Sequence, residues 1–212
     1  MTIKRLLMYV IVIITFLVSL LAYPMLSNTI ATHWGINGNA NGYMPRFWGL
    51  AIVPILMVIF TGLFAAIPFL DPKRENIRAM RDKIDAFGVV FILFFLYIHI
   101  LTIARNLGYR FDMGQMILLG IALLFYAVGT LITTAKQNWF IGIRTPWTLS
   151  NERVWTETHR VGGRTFQIAA ILTLGGLLLP QYAILFILVP ILGASLYPVV
   201  YSYVLFLKLT KR

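Results

Sequence analysis

Long uncharged apolar runs decide what this chain can become. Leu6 to Tyr23, Phe47 to Leu70, Ala86 to Ala104 and Met116 to Ala135 contain no Asp, Glu, Lys or Arg. Roughly 20 apolar helical residues cross a hydrocarbon core of about 30 Å, so each run has the length of one membrane crossing. The last block, Phe166 to Leu207, has 42 residues. It covers about 63 Å at a rise of about 1.5 Å per residue, too long for one crossing. Pro180-Gln181 is the natural turn, giving a short fifth span and a sixth from about Ala183 to Leu207. With 59% apolar residues and a mean hydropathy of +0.83, the chain exceeds what a single soluble core absorbs. Soluble enzymes, disordered tails and disulfide scaffolds are excluded. The lack of cysteine also excludes iron–sulfur clusters, thiolate zinc sites, c-type haem attachment and palmitoylation.

The net charge of +11 reads as topology rather than as a nucleic-acid surface. With the N-terminus inside and six spans, the inner segments are Lys4-Arg5, the Asp71–Asp85 loop, the Lys136–Arg164 loop and the tail from Lys208. They hold fifteen of the 18 basic residues, leaving Arg46, Arg105 and Arg110 outside. The expected fold is therefore an all-α, polytopic integral membrane protein of about six transmembrane helices with both termini cytoplasmic. An interfacial helix is expected in the loop between the fourth and fifth spans. Three parts are expected: a two-span unit at 1–70 with an extracellular loop at 24–46, a charged cytoplasmic loop at 71–86, and a four-span unit at 87–212 whose motif loop is 136–166. The first run is too long for a usual signal-peptide core and lacks a small-x-small site, so it is read as an uncleaved span.

No Asp, Glu, Lys or Arg lies near the centre of a span, which disfavours ion-coupled transport. His99, near the outer end of the third span, is read as interfacial or hydrogen-bonded. The Asp71–Asp85 loop is read as a solvated helix with no assigned role. Small residues in the spans permit close helix packing and would allow a homo-oligomer.

Two loops carry the remaining information. The outer one places His33-Trp34 before Asn37-Gly38 and Asn41-Gly42, both read as turn formers. It is expected to be compact and membrane-resting, or a recognition surface for something arriving from outside. The inner one runs from Asn138 to Arg164. Thr145-Pro146 suits a helix start, as does Ser150-Asn151, and Gly162-Gly163 suits an end. Glu152, Trp155, His159 and Gly162 share one helical face; Arg153, Glu157 and Arg160 share another and can pair. Trp139, Phe140 and Trp147 add aromatic bulk, so the segment reads as an amphipathic helix at the membrane surface. A catalytic Ser150/Glu152/His159 set can be drawn, but the spacing matches neither a zinc motif nor a nucleophile elbow. No metal or other cofactor is implied.

The stretch Asn138-x-x-x-Gly142-x-Arg144-Thr145-Pro146-Trp147-Thr148-Leu149-Ser150-Asn151-Glu152-x-Val154-Trp155-x-x-Thr158-His159-Arg160 resembles the hallmark of the SdpI-like immunity proteins, named for immunity to the sporulation-delaying-protein killing factor. His33-Trp34 and Gly38, leading through Asn41-Gly42 to Pro45, are similar to a small domain of unknown function often fused in front. The resemblance implies a multi-pass protein of the bacterial plasma membrane that protects its host from a secreted peptide toxin. It also implies signalling in some members, by holding a cytosolic repressor at the membrane. The outer loop (His33, Trp34, Gly38, Asn41, Gly42) would then meet the toxin. The inner motif (Asn138, Trp139, Gly142, Arg144, Thr145, Pro146, Trp147, Ser150, Asn151, Glu152, Trp155, His159, Arg160) would bind a protein partner or lipid, with Trp147, Trp155 and Arg144 as its anchor. A peptide exporter and a membrane-embedded enzyme remain the alternatives.

Overall fold

The computed structural model describes residues 2–35 and 38–210. Its helices are α1 (Ile3–Ala22), α2 (Arg46–Leu70), α3 (Arg74–Ala79), α4 (Arg81–Asn106), α5 (Met113–Thr133), α6 (Pro146–Ser150), α7 (Glu152–Thr173) and α8 (Ala183–Thr210). Two strands, β1 (Thr29–Trp34) and β2 (Ala40–Pro45), form an antiparallel hairpin between α1 and α2. Among the described residues, five segments are long and apolar enough to cross a membrane: Ile3–Met25, Arg46–Leu70, Arg81–Asn106, Met113–Thr133 and Pro180–Thr210. At most 28% of each segment's apolar window is buried, so the protein needs lipid to cover the rest. The chain is a polytopic membrane protein.

α7 packs alongside α5 and α8. It is not apolar throughout, yet it runs antiparallel to α5 along that helix's full length. Gly163 lies against Thr133 and Gly129 at one end of α5, and Gly176, in a 3-10 turn after α7, lies against Leu118 at the other. The helix expected to stop at Gly162-Gly163 therefore continues through both glycines to Thr173. A Cβ on Gly163 would fall 1.8 Å from Thr133 Oγ1 and 2.6 Å from the Gly129 carbonyl oxygen. These glycines let two helix backbones meet; they do not end a helix. The expected turn at Pro180 is a 3-10 turn over Pro180–Tyr182.

Three buried clusters stack along the bundle. Ala22, Leu26, Ile30, Leu50 and Ile103 fill the hairpin end. Met8, Ile11, Val12, Met57 and Ile92 fill the middle, flanked by interlocking phenylalanines such as Phe60, Phe91 and Phe95. Ile77, Met80, Ile84, Leu131, Ala135 and Trp155 fill the opposite end. The Asp71–Asp85 segment is thus more than a solvated loop. Its α3 puts Ile77 into that core, and both Asp71 and Asp85 are buried. Asp82 pairs with Lys4, and Thr2 donates to Asp85 at 2.7 Å, so the start of α1 sits at this end. Ser202, near the end of α8, meets Thr145 here at 3.1 Å. The start of α1 and the C-terminal part of α8 therefore lie at the same end of the bundle.

Candidate functional site

The inner motif folds back on itself through side chains that bond the main chain. Asn138, fully buried, accepts from the amides of Phe140 and Ile141 at 2.8 and 2.6 Å and donates to the carbonyls of Lys136 and Ile141 at 2.8 and 2.9 Å. Its amide thus uses both of its functions to close one tight loop. Buried Asp71 accepts from the amides of Lys73 and Trp139, tying the end of α2 to that loop. Gln137 donates to the carbonyls of Thr148 and Leu149, and its own carbonyl accepts from Asn76 at 2.7 Å. Lys73 also reaches the Gln137 side chain.

α6 and α7 start where their capping residues predict. Thr145 and Thr148 form a reciprocal capping box with Pro146 at the first turn, and Trp147 leans on Tyr203 of α8. Asn151 caps α7 by accepting from the amides of Arg153 and Val154. Each cap satisfies amides that have no partner within the helix.

The centre of the motif is a stack of Trp155 on His159, with ring centroids 3.9 Å apart and planes 19° from parallel. Both side chains are only 1% exposed. Trp155 donates to the Ala135 carbonyl at 2.7 Å. The Ile143 amide donates to Nε2 of His159 at 2.9 Å, so the ring proton sits on Nδ1 and donates to the Trp155 carbonyl at 2.7 Å. Burial lowers the His159 pKa from 6.5 to about 4, against the backbone bond to Trp155, which raises it. A neutral imidazole with both nitrogens engaged is a structural pin. Gly142 completes the fit at φ +118°.

The motif therefore divides. Asn138, Thr145, Trp155 and His159 are inside, while Trp139, Phe140, Arg144, Pro146, Ser150, Glu152 and Arg160 are exposed. Trp155, expected as an anchor for a partner, is packed in the core. Arg144 donates to the Trp139 carbonyl and so stands beside an indole that is 50% exposed. Glu157 pairs with Arg160 as the spacing implies. Ser150 donates to the Trp147 carbonyl, and no hydrogen bond joins Ser150, Glu152 and His159. Among the described residues no group of three metal-ligating side chains forms.

At the far end, the hairpin is anchored rather than merely resting. Asn106 of α4 accepts from the Ala31 amide and donates to the Ala31 carbonyl, both at 2.8 Å, sealing the outer edge of β1. Arg46 donates to the carbonyls of Tyr23 and Leu26 and lies 4.1 Å above the Tyr23 ring. His33 donates to the Asn41 side chain across the strands. Asn41-Gly42 is strand opposite His33, where the register shifts, and not a turn. A Cβ on Gly42 would come 2.8 Å from that of His33. Gly38 has φ +74°, as a turn requires; Asn37 lies outside the described residues. Trp34 is half-buried. His99 is fully buried and bonded to Ser19 Oγ at 2.8 Å, which settles it as a hydrogen-bonded histidine.

Asp71, Asn106 and Gln137 carry much of this geometry, and sequence reasoning passed over them. The only signal is position: each sits at or beside the end of a long apolar run.

Residues 134–202 match the SdpI/YfhL protein family, and residues 10–58 match a domain of unknown function, DUF1648. The chain is similar to the immunity protein SdpI of Bacillus subtilis (strain 168), with 26% identity over 207 residues, 97% of each chain. No solved structure matches. The chain thus resembles the SdpI/YfhL family over residues 134–202 and the DUF1648 domain over residues 10–58.

Proposed function

We propose that this protein is a membrane immunity protein that protects a bacterium from a secreted antimicrobial peptide. The observation that carries the reading is similarity over 97% of both chains to a protein named for immunity, hairpin and inner motif included. The geometry supports a non-enzymatic role. The best catalytic candidate, His159, is buried with both nitrogens engaged, and the exposed Ser150 and Glu152 do not bond it. The hairpin is fastened to the outer ends of α2 and α4, and α4 begins beside α3 and the inner motif. Peptide arriving at the hairpin would shift α4, and the exposed rim of Trp139, Phe140 and Arg144 would report the shift to a cytosolic repressor.

Survival tests the reading. A sensitive bacterium expressing the protein should outlive its vector control when challenged with the sporulation-delaying killing peptide. Equal death at full membrane expression would refute immunity to that peptide. Trp139→Ala/Arg144→Ala leaves the buried pins in place. It should silence a reporter controlled by the repressor while survival stays unchanged.

A further inference from the structure

Asp85 is fully buried in the opening turns of α4, where its carboxylate gathers three groups. Nε of Arg5 and Nε of Arg81 both donate to Oδ1 at 3.1 Å, and Thr2 donates to Oδ2. Two guanidinium cations thus share one carboxylate, and one positive charge is left over. The neighbouring Lys4–Asp82 pair is neutral and does not offset it. Among the described residues, the Nη2 atoms of Arg5 and of Arg81 are buried with no partner, and the bonds to Asp85 are the only ones these two side chains make. Folded proteins pair nearly all such donors with protein, water or a bound ion. Water would occupy the donors but leave the charge. The two side chains stay 18% and 21% open to the surface, at the basic end of the bundle, where headgroup phosphates lie.

We propose that Arg5 and Arg81, anchored by Asp85, bind a phosphate anion. The planar guanidinium offers paired N–H groups that match phosphate oxygens. The anionic headgroup of a phospholipid and free inorganic phosphate are the two sources of this chemistry. The site bridges α1 and α4, so its occupant would fasten the first span to the bundle.

Full-length protein in neutral detergent, followed by native mass spectrometry and thermal unfolding, tests this. Phosphatidylglycerol should be retained and should raise the unfolding midpoint, whereas zwitterionic phosphatidylcholine should do neither. Arg81→Gln should weaken phosphatidylglycerol binding about tenfold, the loss expected for one charge-assisted contact. Lys208→Gln, at the same end of the molecule, should leave it within about twofold. If Arg81→Gln does not fold, Arg81→Lys keeps a cation on Asp85 but loses the fork, and should still bind several-fold more weakly. A midpoint shift from inorganic phosphate alone would keep the site and assign it to the free anion. Equal binding of both lipids by the wild type, or wild-type phosphatidylglycerol binding by both Arg81 variants, would overturn the proposal.

Discussion

Gly142 and His159 occupy complementary volumes: a Cβ on Gly142 would lie 2.2 Å from Nε2 of His159, the nitrogen that accepts the Ile143 amide. Gly142→Ala therefore meets two obstacles, a left-handed φ of +118° and a side chain that cannot yield without breaking that bond. The substitution should destabilise the inner motif by about 2 kcal/mol or more. Thermal unfolding of the purified variant, with membrane abundance in cells, checks this. An unchanged midpoint would mean that the His159 pin is dispensable.

The same histidine gives stability a pH dependence. Its folded value of about 4 lies below the ordinary 6.5, so between these values the unfolded chain binds the proton more readily. The stabilisation is therefore complete above about pH 6.5 and is lost as pH falls towards 4. Wild-type protein should lose unfolding free energy between pH 7 and pH 5 more steeply than His159→Gln, which has no proton to take up there. Parallel slopes for the two proteins would contradict a buried neutral imidazole.

The apolar runs made the five long membrane-crossing segments legible. α7 is harder to read because its first half, Glu152 to Arg164, is polar on the outside and small or aromatic on the inside. Average hydropathy sees a loop there. Gly162-Gly163 also reads as a helix end, since glycine in a sequence does not say whether it frees a turn or admits a neighbouring backbone. The burial of Asp71 and Asp85 was hidden for a similar reason. Both sit among charged neighbours, and only the fold shows that backbone amides surround one and arginines the other. The outer loop read as compact, with turn formers rather than strands, and its fastening to Asn106 spans 75 residues of sequence and leaves no local mark.

That fastening makes a prediction for the outer face. Asn106→Ala leaves the amide and carbonyl of Ala31 without their partners, at a cost of about 1–3 kcal/mol to the hairpin's attachment. α4 keeps its own backbone bonds, so the spans should survive. In proteoliposomes, the variant's hairpin should be cut by added protease several-fold faster than the wild type's, with an unchanged global unfolding midpoint. Equal cleavage would show that Arg46 and Ile30 suffice to hold it.

We predict that α7 also crosses the membrane, and this can be tested directly because the chain has no cysteine. Gln181 is exposed in the turn between the end of α7 and α8. If α7 runs the length of α5, as the contacts of Gly163 and Gly176 require, Gln181 lies on the same face as the hairpin. A helix resting on the inner surface would leave it on the opposite face. Gln181→Cys and Tyr43→Cys should both react with a membrane-impermeant maleimide in intact cells, whereas Ser150→Cys should react only after permeabilisation. Protection of Gln181→Cys together with labelling of Tyr43→Cys would remove the α7 traverse. The C-terminal end of α8 would then move to the other side of the membrane, which its contact between Ser202 and Thr145 forbids. The labelling of Gln181→Cys and that contact therefore stand or fall together.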